Sequence, residues 1–126
     1  MPYVPFNNNP RNIRVGDCAV RAVSIALGKS WEDTYSHLCA EGLFYHDMPS
    51  ANYVWGMYLK STGFEQKVRP SVCPMCVTVS QFTEEHPEGT YVLATENHVV
   101  TAVDGSYYDS WDSGDEVVLY YFEKEI

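Results

Sequence analysis

The sequence predicts an α+β fold in which N-terminal helices pack on a C-terminal antiparallel β-sheet. Apolar residues recur with helical spacing between residues 17 and 61, whereas four β-rich runs separated by turn residues follow residue 89. Helices that precede antiparallel strands are the typical order of an α+β architecture. The chain has 126 residues, 45% of them hydrophobic, which predicts a single domain over residues 1–126 with one core.

The first predicted helix lies at the centre of this fold. It begins near Asp17, whose side chain is suited to capping, and it ends at Gly28, as expected of a C-cap glycine. Residues 19–27 are apolar on most sides of the helix, which predicts a central and buried position. Residues 1–12 are rich in Asn and Pro and predict an extended N-terminal arm.

Capping and stop signals predict three more helices. Ser30 caps a second helix that Gly42 ends, and a third helix covers about residues 50–61. Residues 64–77 contain two prolines and predict irregular structure. Thr78 then caps a short helix before the first β-rich run.

A hairpin in the β-rich half sets the positions of several polar side chains. The dipeptide Asp104-Gly105 favours a two-residue type I′ turn, which pairs Val103 with Ser106. Because side chains alternate between the two faces of a strand, this register predicts that five residues share one face. They are His98, Val100, Tyr107, Asp109 and Trp111.

In this register His98 and Asp109 are diagonal neighbours within reach of a hydrogen bond. The carboxylate would fix the tautomer of the imidazole and leave its other nitrogen to exchange protons with a nucleophile. Trp111 beside the pair would shield the hydrogen bond from water. The alternative interpretation is a half-exposed histidine that makes a structural hydrogen bond on a sheet.

Cys18 is the candidate nucleophile because it falls at the start of the first helix. Backbone N–H groups and the positive end of the helix dipole favour a thiolate at that place. A nearby protonated histidine would favour the thiolate further. The alternative is a buried structural cysteine, since free cysteine is among the most buried residue types.

The other cysteines are Cys39, Cys73 and Cys76, and an intracellular chain is expected to keep all of them as thiols. The Cys73-Pro-Met-Cys76 sequence has the spacing of half a zinc site or of a redox site. A second pair of zinc ligands at matching spacing and a βαβ context are both missing. A solvent-facing loop without metal is therefore the preferred interpretation.

This order of residues resembles the papain-like cysteine peptidases, in particular their compact bacterial and phage members. In that superfamily a cysteine opens the central helix, and a histidine and an Asn or Asp lie on adjacent strands. The run Asp109-Ser110-Trp111 matches an N-S-W or D-S-W motif of the papain group. Asn12 lies six residues before Cys18, where that group has an amide side chain, usually Gln.

The resemblance implies a papain-like fold and a catalytic triad of Cys18, His98 and Asp109, with Trp111 in a supporting role. It also implies an oxyanion hole formed by the Asn12 side chain and the backbone N–H of Cys18. The small residues and the tryptophan that usually follow the catalytic cysteine are absent here. The implied activity is that of a small cysteine hydrolase that cleaves a peptide or isopeptide bond in a protein or peptide substrate, without a cofactor or a metal.

Two alternatives stay open. The dipeptide Asp17-Cys18 also resembles the start of the catalytic helix in NlpC-type cell-wall peptidases. A catalytically inactive papain-like relative would instead be a protein-binding module, and its acidic surface would favour a basic partner.

Composition narrows the expected partners and location. The net charge of −9 disfavours binding to the phosphates of nucleic acids. No apolar run has the length of a membrane span, and the first residues lack the layout of a signal peptide. We therefore expect a protein that works in the cytoplasm of the producing or host cell, away from membranes. The oligomeric state and the identity of the substrate stay open.

Overall fold

The computed structural model describes residues 2–125 and has an α+β fold, as predicted. The helices are α1 (Cys18–Leu27), α2 (Trp31–Tyr45), α3 (Asn52–Ser61) and α4 (Val79–Glu85). The strands are β1 (Tyr3–Pro5), β2 (Phe64–Val68), β3 (Thr90–Ala94), β4 (Val99–Val103), β5 (Ser106–Asp109) and β6 (Tyr120–Lys124). None of the helices within residues 2–125 combines the length and apolarity needed to cross a membrane.

The six strands form one sheet in the order β1-β5-β4-β3-β6-β2. All neighbours are antiparallel except β1 and β5, which run parallel. The prediction of a purely C-terminal antiparallel sheet is therefore wrong at both edges. The two edge strands come from the N-terminal arm and from the segment after α3.

Both edge strands depend on partners that are distant in sequence. β1 has only three residues, and its ends are held by hydrogen bonds from Tyr107 N to Pro2 O and from Phe6 N to Asp109 O, both 2.8 Å. β2 lies in the segment predicted to be irregular, and it has charged residues where an apolar alternation would mark a strand. Its Lys67 forms an ion pair with Glu123 on β6. Such cross-strand pairing cannot be read from the periodicity of one segment.

The helices follow the predicted order, with two corrections at their ends. Asp17 occupies the N-cap position of α1, but its side chain makes no capping hydrogen bond. α2 continues through Gly42 to Tyr45, and His46 ends it with a left-handed φ of 59°. Gly42 is required for a different reason, because a Cβ at this position would lie 2.6 Å from Asp47 O.

Other local signals are confirmed. Gly28 ends α1 in the left-handed conformation with φ of 66°, and the Ser30 side chain accepts a hydrogen bond from Asp33 N at the start of α2. Thr78 and Gln81 form a reciprocal capping box at the start of α4. These features depend on contacts within a few residues, which is why the sequence predicts them well.

The sheet is covered on both faces. α1, α2 and α3 pack on one face around a core that includes Val23, Leu38, Trp55, Val92 and Phe122. The other face is covered by α4 and the segments around it, in a second core that includes Val79, Phe82, Leu93, Val100 and Tyr107. α1 is joined to the centre of the sheet by a buried hydrogen bond from Thr101 Oγ1 to Ala22 O (2.5 Å). This packing brings the first turn of α1 to the region where β4 begins and β5 ends.

The expectation that all cysteines are thiols is wrong for one pair. Cys73 and Cys76 form a disulfide, and their Cα atoms lie 4.6 Å apart, within the usual range for such a bond. The short turn between them brings the two sulfur atoms together. Cys18 and Cys39 are free.

Candidate active site

The predicted hydrogen bond between His98 and Asp109 is present. Asp104 and Gly105 have φ of 48° and 83°, as a type I′ turn requires, and Val103 pairs with Ser106. His98 immediately precedes β4, and Asp109 is the last residue of β5. His98 Nε2 donates to Asp109 Oδ2 at 2.6 Å. Since the ionised carboxylate can only accept, this bond places a proton on Nε2 and leaves Nδ1 for another partner.

Asp109 is 1% exposed and accepts hydrogen bonds from several donors besides His98. Ser113 Oγ donates to Oδ2 at 2.6 Å, and Arg21 Nη1 donates to Oδ1 at 3.0 Å. The backbone N–H of Ser110 also donates to Oδ1, at 2.8 Å. Burial acts to raise the pKa of Asp109, but the hydrogen bonds from His98 and Ser113, together with Arg21, hold it below its ordinary value. The carboxylate is therefore ionised at neutral pH.

Cys18 is the first residue of α1, and its side chain is partly exposed beside His98. Burial acts to raise the pKa of the Cys18 thiol, but hydrogen bonding with His98 and the charge of the imidazolium lower it below its ordinary value. Burial acts in the opposite direction on His98, where hydrogen bonds with Asp109 and Cys18 raise the pKa from 6.5 to about 9. Both shifts favour a thiolate–imidazolium pair at neutral pH.

Trp111 lies against His98, as predicted, with 4.8 Å between the ring centroids and an interplanar angle of 42°. Its side chain is 40% exposed, so it covers one side of the imidazole and presents its other side to solvent.

The aspartates close to the site in sequence, Asp104 and Asp112, make hydrogen bonds to groups other than His98. Asp104 Oδ1 accepts from Gly89 N at 3.0 Å, and Asp112 accepts from the Tyr107 hydroxyl.

Cys18 and His98 line the same cleft, which has a volume of about 190 Å³. Most of its other lining side chains are polar and come from the start of α3, with the residues just before it, and from the β3–β4 connection. They are Ser50, Asn52, Thr95, Glu96 and Asn97, with Ala19 and Val99 as apolar contributors. The cleft therefore gives a substrate access to the thiol between two different segments of the chain.

Asn12 lies outside this set of lining residues. It is exposed in the loop before α1, has a left-handed φ of 53°, and its backbone N–H donates to Asn9 O at 2.8 Å. The loop is tied to the end of the hairpin by Arg14 Nη2, which donates to Ser110 O at 2.9 Å. The oxyanion role of Asn12 stays a prediction.

A buried polar network behind Cys18, His98 and Asp109 was not predicted from the sequence. Arg21 bonds both to Asp109 and, through Nε, to Asp17 Oδ1 at 2.9 Å. Ser113 donates a hydrogen bond to Asp109 and is itself buried, with 1% of its surface exposed. One signal could have revealed the network: Arg21 is the only charged residue in the mostly apolar helix α1. A charge there needs a buried partner.

The chain matches no family model, no curated protein and no solved structure in the comparisons with known proteins. Within residues 2–125, no group of three or more His, Cys, Asp or Glu side chains is arranged to hold a metal ion.

Proposed function

We propose that this protein is a small thiol hydrolase that cleaves a peptide or isopeptide bond in a protein or peptide substrate. The observation that carries the proposal is the position of His98, which is hydrogen-bonded to buried Asp109 on one side and adjacent to Cys18 on the other. A cysteine at a helix N-terminus beside an oriented histidine is the arrangement that activates a thiol for nucleophilic attack.

In the first half of the reaction the Cys18 thiolate attacks the carbonyl carbon of the scissile bond. The C–S bond forms as electrons move to the carbonyl oxygen. The imidazolium of His98 then donates its Nδ1 proton to the leaving amine as the C–N bond breaks, which leaves a thioester on Cys18 and a neutral imidazole. Asp109 keeps the second proton of the ring on Nε2 throughout.

In the second half a water molecule hydrolyses the thioester. Neutral His98 accepts a proton from the water through Nδ1 as its oxygen attacks the carbonyl carbon, and the C–S bond then breaks. The carboxylic acid product leaves, and the thiolate–imidazolium pair is restored. The raised pKa of His98, about 9, favours this restored state at neutral pH.

The N-terminus of α1 supports an oxyanion site next to the nucleophile. The side chain of Asp17 makes no capping hydrogen bond to the first turn. Its carboxylate is instead bonded to Asn9, Arg21 and Trp31. The backbone N–H of Cys18 is thus available to stabilise negative charge that develops on the carbonyl oxygen, and the helix dipole acts in the same direction.

The proposed fold type is papain-like. This proposal is supported by a central helix that begins with Cys18, by the adjacent strands that carry His98 and Asp109, and by the tryptophan over the imidazole. We further propose that the protein needs no cofactor and works in the cytoplasm of a producing or host cell, although the Cys73–Cys76 disulfide is of a kind more common in oxidising compartments. An NlpC-type activity would appear as cleavage of purified peptidoglycan, and an inactive binding module would show ordinary thiol reactivity.

The direct test is the rate at which iodoacetamide alkylates Cys18. Cys39 is an internal reference, because it is the other free cysteine and Cys73 and Cys76 are joined in a disulfide. We expect Cys18 to react faster than Cys39 at neutral and mildly acid pH, as measured by peptide mass spectrometry. His98→Ala should remove this preference. Equal reaction of the two cysteines in the wild-type protein would contradict the proposal.

Substrate cleavage is tested with a library of peptides generated from a whole proteome. New peptide termini should appear with the wild-type protein and be absent with Cys18→Ala. The variant Cys39→Ser controls for loss of a thiol away from the cleft and should cleave like the wild type. Cleavage that persists in Cys18→Ala would assign the activity to another site or to a contaminant.

A further inference from the structure

The proposed triad is connected to a buried chain of ion pairs that leads back to the helix that carries Cys18. Arg21 joins the carboxylates of Asp109 and Asp17 at 3.0 Å and 2.9 Å. The exposed fractions of Arg21, Asp17 and Asp109 are 7%, 5% and 1%. The second oxygen of Asp17 accepts from Asn9 Nδ2 at 3.1 Å and from Trp31 Nε1 at 3.0 Å. All three charged groups are thus buried and hydrogen-bonded.

Fold stability alone is a weak reason for such a chain. Removal of charges from water is costly, and well-packed apolar residues often stabilise a core as well as a buried ion pair does. Elsewhere α1 is buried by apolar residues, which include Ala19, Val20, Ala22 and Val23, so burial of the helix does not itself require a charge. What an arginine adds at this place is a fixed connection between two carboxylates.

The contacts around the candidate site lead from α1 to the sheet and back to α1. Arg21 lies one helical turn after Cys18 on α1, and it bonds to Asp109 at the end of β5. Asp109 bonds to His98, and His98 faces Cys18. A movement of the end of β5 away from α1 would separate the imidazole from the thiol, and it would also have to break the bond between Arg21 and Asp109.

We propose that Arg21, anchored by Asp17, is a positioning residue that holds Asp109, and through it His98, in place beside Cys18. The inference rests on the proposed function, because the position of His98 affects reactivity only if Cys18 is the nucleophile. Burial acts to lower the pKa of Arg21, but its bonds to Asp17 and Asp109 raise it above its ordinary value. Arg21 therefore stays protonated and acts as a permanent charge that takes no part in proton transfer.

The test is the pH profile of Cys18 alkylation in Arg21→Met. Loss of the connection, together with loss of the direct effect of the Arg21 charge on Cys18, should raise the apparent pKa of the thiol by about one unit, which lowers the rate about tenfold on the acid side of the profile. Arg21→Lys keeps the charge but can reach only one carboxylate at a time, so an intermediate profile in this variant reports the lost connection. The matched control is Arg69→Met, which removes an exposed ion pair with Glu85 and should keep the wild-type profile.

A second variant covers the case in which Arg21→Met does not fold. The double variant Asp17→Asn/Arg21→Met removes opposite charges together and leaves the net charge unchanged, so less uncompensated charge is buried. A folded protein with the wild-type alkylation profile, in either variant, would overturn the positioning role.

A measurement on the wild-type protein completes the test without any variant. The NMR signal of Arg21 Nη1–H should follow the titration of His98 with the same apparent pKa, because Nη1 donates to Asp109 and Asp109 also bonds to His98. A signal that does not respond would overturn the inference. Equal reactivity of Cys18 and Cys39 in the wild type would instead overturn the proposed function itself, so the two failures are distinguishable.

Discussion

Substitution of Asp109 by asparagine removes one charge at the centre of the candidate site and preserves the shape of the side chain. In the wild type the carboxylate accepts hydrogen bonds from His98, Arg21, Ser113 and the backbone of Ser110. An asparagine has one acceptor oxygen in place of two, and its amide nitrogen can only donate. It therefore cannot satisfy His98 and Arg21 together, and it offers no negative charge to the imidazolium.

The expected size of the effect of Asp109→Asn follows from the pKa of His98 in the wild type. Its rise from 6.5 to about 9 corresponds to about 3 kcal/mol in favour of the protonated ring. Asp109 and Cys18 share this effect, with the hydrogen bond to Asp109 the larger of the two. We expect Asp109→Asn to lower the pKa of His98 by about 1–2 units, toward its value in a model peptide.

The same shift determines how stability depends on pH. The pKa of His98 is higher in the folded than in the unfolded chain, so its contribution is fully present below 6.5 and is lost as the pH rises through about 9. The lowered pKa of Cys18 acts in the opposite direction over the same range, because the folded chain has already lost the thiol proton that the unfolded chain loses only near its ordinary value. We therefore expect the decrease in the free energy of unfolding in a Cys18→Ala background, where Asp109→Asn should flatten it. Urea unfolding monitored at several pH values would measure the change.

The assay is an NMR titration of the His98 ring in protein labelled at histidine, combined with the alkylation rate of Cys18. Asp112→Asn is the matched control, because Asp112 bonds to the Tyr107 hydroxyl and not to the imidazole. A His98 pKa that stays near 9 in Asp109→Asn would refute the reasoning. So would an equal fall of the pKa in both variants.

Two further predictions concern packing and charge. Gly42→Ala should lower the free energy of unfolding by about 1–3 kcal/mol, because the new Cβ would lie 2.6 Å from Asp47 O. Gly16→Ala, which meets nothing within 4 Å, should change it by less than about 0.5 kcal/mol in the same chemical denaturation assay. A cationic methanethiosulfonate should modify Cys18 faster than an anionic one at low salt, because Glu96 lines the cleft and the chain carries a net charge of −9. The difference should shrink with added salt, and an equal rate for both reagents at low salt would contradict this electrostatic argument.

Much of the site could be predicted because its components are local. The turn residues Asp104-Gly105 determine the register of the hairpin, and the register brings Asp109 within reach of His98. The start of α1 at Cys18 follows from the change from polar to apolar residues after Asp17. The predicted α+β class likewise follows from the periodicity of each segment.

Other elements could not be predicted, because their partners lie far away in the chain. β2 has mostly exposed residues and becomes a strand by pairing with β6, and β1 depends in the same way on β5. The role of Gly42 could not be predicted for a different reason. The sequence shows a typical helix-ending residue, but the structure uses it inside α2 because the following loop folds back against it.

The sequence by itself determined the order of the four helices and of the strands after residue 89, the register of the hairpin and the identity of its paired histidine and aspartate. These depend on short-range geometry and on turn chemistry. Only the tertiary structure decided that His98 meets Cys18, and that Arg21 connects Asp17 with Asp109 behind them. The physical reason is that helical periodicity states which side of α1 is buried but not which groups it is buried against. The partner of a buried charge is fixed only when distant segments pack together.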